Sequence, residues 1–137
     1  MGWFTRLHVR SYRLTRGILG GNLVVARILL LTTMGRKSGL ARTTPLRYLR
    51  HDDAYMVAAS NWGKTSHPAW YYNLSANPDV EIQIMGRHMR ASAEIISQGE
   101  ERDRLYQRFV EADKRFEQYP KTAGGRSIPI VIFRPQR

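Results

Sequence analysis

Cysteine is absent from the 137-residue chain. This excludes disulfides, thiolate nucleophiles and thiolate metal sites, and it fits a reducing compartment, so a cytoplasmic location is expected. Long apolar runs are also missing. The best stretch, residues 24–31, is interrupted by Arg27, well short of the roughly 20 residues a membrane-spanning helix needs, and the N-terminus shows no long apolar signal-peptide segment. Negative charge is scarce. Eleven Asp and Glu face 22 Lys and Arg, a formal net charge of +11. Six of the acids (Glu100, Glu101, Asp103, Glu111, Asp113 and Glu117) crowd into residues 99–118, so the rest of the chain holds 17 of the 22 basic residues and five of the 11 acids. A surface with that imbalance suits an anionic partner.

The usual catalytic constellations are missing as well. His8, His51, His67 and His88 include no i, i+4 pair of the kind that ligates zinc on a helix. No serine sits in a nucleophile elbow, and the basic part of the chain offers no pair of carboxylates. A chain with binding groups and little chemistry of its own is expected to rely on an organic cofactor.

What is present reads as one globular domain, with 42% apolar and 24% charged residues and enough length for one hydrophobic core. Residues 1–26 read as a basic amphipathic helix, because Arg6, Arg10, Arg13 and Arg16 recur every three or four residues before Gly20-Gly21. Such a helix packs on its own domain or docks, through residues 1–20, on an anionic membrane surface. Strands are expected over 28–33, 42–49, 54–60, 80–85, 88–96 and 128–133. Pro45 marks an edge strand or bulge, and Met85-Gly86-Arg87 a hairpin. One helix is expected from Pro68 to about Ala76, another from Glu100 to about Phe116. Five or six short strands with one or two helices suggest a mainly β (α+β) fold, a small antiparallel barrel or curled sheet.

Three segments carry the binding chemistry. Gly35-Arg36-Lys37-Ser38-Gly39, followed by Arg42 and Arg47, is a glycine-flanked basic turn without an acid. Its backbone N–H groups and guanidinium forks suit phosphate or carboxylate, although the spacing is not that of a Walker A loop. Ala58-Ala59-Ser60-Asn61 ends a strand with small residues that let a flat ring approach. Trp70, Tyr71 and Tyr72 share one helical turn and cannot all face one core, so at least one is expected to line a cleft.

In order and spacing these segments resemble the deazaflavin (F420)-dependent nitroreductase family. The resemblance runs through LLLTTMGRKSGLARTTPL (29–46), VAAS (57–60), HPAWYYNLSANPDVEIQI (67–84) and SIPIVIF (127–133). It implies a split antiparallel β-barrel over 27–137, of the FMN-binding-like kind, with the N-terminal helix and peripheral helices outside it. It also implies reduced coenzyme F420 as cofactor, and hydride transfer to a quinone, nitroaromatic or activated alkene.

Carried over position by position, Arg36, Lys37, Ser38 and Arg42 match the segment that holds the cofactor's phosphate and oligoglutamate tail. Thr44, Pro45, Leu46 and Arg47 match the strand beside the cofactor. Ala58, Ala59, Ser60 and Asn61 match the stretch against the deazaflavin ring, and Ala69, Trp70, Tyr71 and Asn73 the helix that closes over it. Phe116 and Tyr119 are the implied borders of the acceptor pocket, with Ser60, Tyr119 or solvent as proton source. Arg47 departs from the aromatic residue of some relatives, and Phe116 from a tyrosine. The competing readings are an FMN-binding split-barrel reductase and a basic nucleic-acid-binding module. The first needs fewer cations than this turn supplies, and no nucleic-acid recognition motif supports the second, so the expected partner is a small-molecule electron acceptor.

Overall fold

The computed structural model describes residues 27–136; the expected helix over 1–26 lies outside the described residues. Seven strands form one antiparallel sheet: β1 (Ile28–Met34), β2 (Ala41–Arg47), β3 (Leu49–His51), β4 (Ala54–Ala58), β5 (Asp79–Ile84), β6 (Arg87–Ile96) and β7 (Ile130–Pro135). Their spatial order is β2-β1-β5-β6-β7-β4-β3. Helices α1 (Ala69–Ala76), α2 (Glu100–Ala112) and α3 (Arg115–Thr122) complete the described chain.

Period-two alternation decides which side of the sheet is core. Leu29 and Leu31 of β1, Val80 and Ile82 of β5, and Val131 and Phe133 of β7 share one buried cluster with Val57 and Ala59. Strand residues two apart point to the same face, so these side chains share one face of the sheet. Trp70 and Leu74 of α1 join the same cluster. The opposite face of β4 and β7, carrying Met56, Ile130 and Ile132, is covered by Leu105, Tyr106 and Phe109 of α2. Both faces of β7 are therefore buried, which accounts for its unbroken apolar run. Each fully buried Leu, Ile or Phe contributes about 1.5–3 kcal/mol.

The sheet has one strand more than the upper expectation, because 42–49 divides into β2 and β3 around Tyr48, whose N–H donates to the Arg27 carbonyl at 2.9 Å. Pro45 does sit on an edge strand, where its missing N–H is harmless. The β5–β6 connection is a two-residue turn, Met85-Gly86, with φ of 52° and 82°. Two positive φ values suit the right-handed twist of a hairpin.

The single helix expected over 100–116 is two helices, a correction with a visible cause. Asp113 is extended (φ −156°, ψ 115°), and its carboxylate accepts from the Arg115 N–H at 3.0 Å and from the Arg115 guanidinium at 2.6 Å. An aspartate offered those local donors leaves the helix rather than continuing it. Helix α3 also contains Pro120, which cannot donate to the carbonyl four residues earlier. That carbonyl, of Phe116, accepts instead from the Tyr106 hydroxyl at 2.6 Å. Burial pushes the Tyr106 phenol up to about 12, so it stays a donor.

Candidate functional site

The groove lies where the β1–β2 turn meets α1. The turn is closed by the Gly35 N–H donating to the Leu40 carbonyl at 2.7 Å and the Gly39 N–H donating to the Gly35 carbonyl at 2.8 Å. Gly39 stands at φ 72°, where a side chain would add strain. Ser38 Oγ accepts from the Leu40 N–H at 3.1 Å. With the backbone so folded, Arg36, Lys37 and Ser38 are all exposed.

Asn73 ties this turn to α1. Only 6% exposed, it accepts from the Arg36 N–H at 3.0 Å and donates to Thr33 Oγ1 at 3.2 Å. The space between is an open pocket of about 570 Å³, with Arg36, Lys37 and Arg42 on one side and Ala69, Trp70 and Asn73 on the other. Ser38, Thr43 and Thr44 add hydroxyls, and no carboxylate lines it. Tyr72 is partly exposed, with the Arg36 guanidinium over its ring at 4.8 Å, a cation–π contact that holds that cation on the α1 side.

A second region begins where β4 ends. Ser60 leads into Asn61, Trp62 and Gly63, three consecutive residues at φ 49°, 58° and 75°. Gly63 is packed so closely that a Cβ there would lie 2.9 Å from Tyr119 Cδ1, and Thr122 Oγ1 donates to its carbonyl at 2.8 Å. Arg126 crosses beneath the loop and donates to the carbonyls of Ala59, Ser60 and Lys64, and to His67 Nδ1 at 2.9 Å. Burial, and then the Arg126 charge, lower the His67 pKa. His67 stacks against Tyr71 with centroids 4.6 Å apart and meets the edge of Tyr72 at 5.7 Å.

The sequence-derived residues therefore separate into groups. Arg36, Lys37, Ser38, Arg42, Thr44, Ala69, Trp70 and Asn73 come together around the pocket. Pro45, Leu46, Ala58, Ala59, Ser60, Asn61 and Tyr71 do not line it; Ala59 is buried in the core, and the Asn61 side chain donates to the Ser66 carbonyl. Arg47 is ion-paired with Asp113 at 3.0 Å. Phe116 is 7% exposed, enclosed by Tyr106, Phe109 and Tyr119. Ala41 and Thr43 line the pocket too; both lie inside the 29–46 segment, and their place on an edge strand beside the basic turn is the signal that could have found them. Arg126 carries no local signal at all.

Comparison with known proteins shows the family and the fold. The family model described as F420H(2)-dependent quinone reductase matches residues 3–135. An F420H(2)-dependent quinone reductase of Mycobacterium tuberculosis is 38% identical over 131 residues, covering 93% of this chain and 87% of the relative. The solved structure of an F420-H2 dependent reductase superposes with a TM-score of 0.69 at 35% identity, covering 78% of this chain and 93% of the other. The haem storage protein HutZ of Vibrio cholerae, at 15% identity and a TM-score of 0.61, covers 82% of this chain and 83% of its own, and shares the fold alone.

Proposed function

The chain belongs to the F420H(2)-dependent quinone reductase family, and from that premise we propose that the groove between the β1–β2 turn and α1 holds reduced coenzyme F420 for reduction of a quinone. The observation that carries the placement is three cations, Arg36, Lys37 and Arg42, around a pocket with no carboxylate and with Trp70 in its wall. Those residues fit the group: a phosphodiester and several carboxylates call for a basic, acid-free groove, and a flat ring system for an aromatic wall.

When bound, the coenzyme supplies a hydride, a two-electron reduction. Arg36 and Lys37 hold its anionic tail at the turn, and Arg42 extends that contact along β2. Asn73 keeps the turn against α1, so the turn does not have to be ordered on binding. Ala58 to Asn61, outside the pocket itself, are assigned to the ring side of the coenzyme, and Ser60, Tyr119 or solvent is the proposed proton source. Ser60 and Tyr119 flank one loop, since the Gly63 N–H donates to the Ser60 carbonyl at 2.9 Å and Gly63 packs on Tyr119. Nitroaromatics and activated alkenes are further proposed acceptors.

Among the described residues no helix is long and apolar enough to cross a membrane; docking of residues 1–20 on anionic lipid, in a cytoplasmic enzyme, remains part of this proposal.

Titration of the purified protein with F420 and, separately, FMN tests the reading through tryptophan fluorescence. Tight F420 and weak FMN binding is expected. Binding of neither, with salt-sensitive binding of a single-stranded oligonucleotide, would overturn it.

A further inference from the structure

Arg126 makes contacts that its exposed neighbours Gly124 and Gly125 do not foreshadow. Its guanidinium donates to the Ser60 carbonyl at 2.7 Å, to Ala59 at 3.1 Å and to Lys64 at 2.9 and 3.1 Å. Its Nη1 also points at His67 Nδ1, 2.9 Å away. A guanidinium has donors only and keeps its proton. Nδ1 must therefore be the acceptor, and the ring hydrogen of a neutral imidazole must sit on Nε2.

We propose that Arg126 is a positioning residue of the reductase: it fixes His67 as the Nε2–H tautomer and clamps the loop that carries Ser60. Two observations connect the clamp to the groove. His67 packs on Tyr71 and Tyr72, and the Tyr72 ring carries the Arg36 guanidinium. The clamped loop also stores strain, with Asn61 and Trp62 left-handed and Trp62 72% exposed. A bulky residue such as Trp62 is strained in that region, so the conformation persists only because its surroundings over-determine it. This inference rests on the quinone-reductase reading for its consequence, but its geometry stands on the chain alone.

The imidazole ¹⁵N spectrum of the labelled protein at neutral pH tests the tautomer. Nε2–H with an unprotonated Nδ1 is expected for His67; an Nδ1–H tautomer or an imidazolium would overturn the assignment. Two variants test the role. Arg126→Lys keeps the charge but cannot reach four acceptors, and His67→Asn keeps an acceptor for Arg126 while removing the Nε2 donor. Both are expected to bind F420 nearly as the parent does, yet to oxidise F420H2 with a quinone roughly ten- to a hundredfold more slowly at saturating cofactor, as expected for sub-ångström misplacement. Parental rates in the folded variants would reduce Arg126 to a structural tie and overturn the proposal. Should the parent protein fail to bind F420, the functional reading fails while the ¹⁵N spectrum still judges the clamp.

Discussion

Asn73 shows how much of the candidate site is held by residues that need not touch a ligand. Its amide uses both ends, accepting from the Arg36 backbone and donating to Thr33. Asn73→Leu would leave two polar partners without their bond, and should lower stability by about 1–3 kcal/mol in urea unfolding while also weakening F420 binding. The exposed cations behave differently. Arg36→Ala with Lys37→Ala removes two side chains that lie outside the core, so Tm should hold while F420 affinity falls, by roughly tenfold for each charge-assisted hydrogen bond removed. Isothermal titration beside a melting curve decides this; an unfolded double variant whose folded fraction still binds normally would make the turn structural.

Between helices and strands, the decisive contacts are those that repair what local sequence leaves open. Pro120 interrupts the α3 hydrogen-bond ladder, and the freed Phe116 carbonyl is taken by Tyr106 from α2. Tyr106→Phe keeps the ring and loses only that bond, so about 1–3 kcal/mol of stability should go, read by chemical denaturation, because a buried carbonyl is left unpaired. The Arg47–Asp113 pair likewise joins the end of edge strand β2 to the α2–α3 break. That pairing explains why Arg47 lies away from the pocket despite following the basic turn in sequence. Phe116 lies in the α2 contact rather than in an open cleft because α3 starts a new helix at Arg115 and turns it inward.

At the scale of the molecule, two groups among the described residues have pKa values shifted so as to make stability respond to acid. His67 has its pKa lowered by burial and by Arg126, and Asp113 has its own lowered chiefly by its hydrogen bonds to Arg115. Both therefore bind fewer protons folded than unfolded, so stability falls with falling pH between each group's ordinary value and its folded one. Stability should begin to drop below the ordinary histidine value of 6.5 and drop again below the ordinary aspartate value of 3.8. Melting curves across that range check it, and His67→Asn should remove the upper step alone. The net charge of +11 acts over the same scale, drawing anions towards a surface whose acids are largely gathered around α2 and α3.

Much of this was decided by sequence alone, because alternation, turn chemistry and charge are local. The buried pattern of 28–33 and 128–133, the Met85-Gly86 hairpin, the edge or bulge at Pro45 and the grouping of Arg36, Lys37 and Arg42 all follow from residue types at short spacing, whereas Trp70 joined them only through the family resemblance. Tertiary structure decided the rest, because it depends on partners far apart in the chain. Arg126 reaches a loop about 60 residues earlier, Tyr106 completes a helix it does not belong to, and Asp113 ends one helix while pairing with Arg47 on a distant strand. No periodicity announces such contacts; they exist only once the curled sheet has brought its ends together.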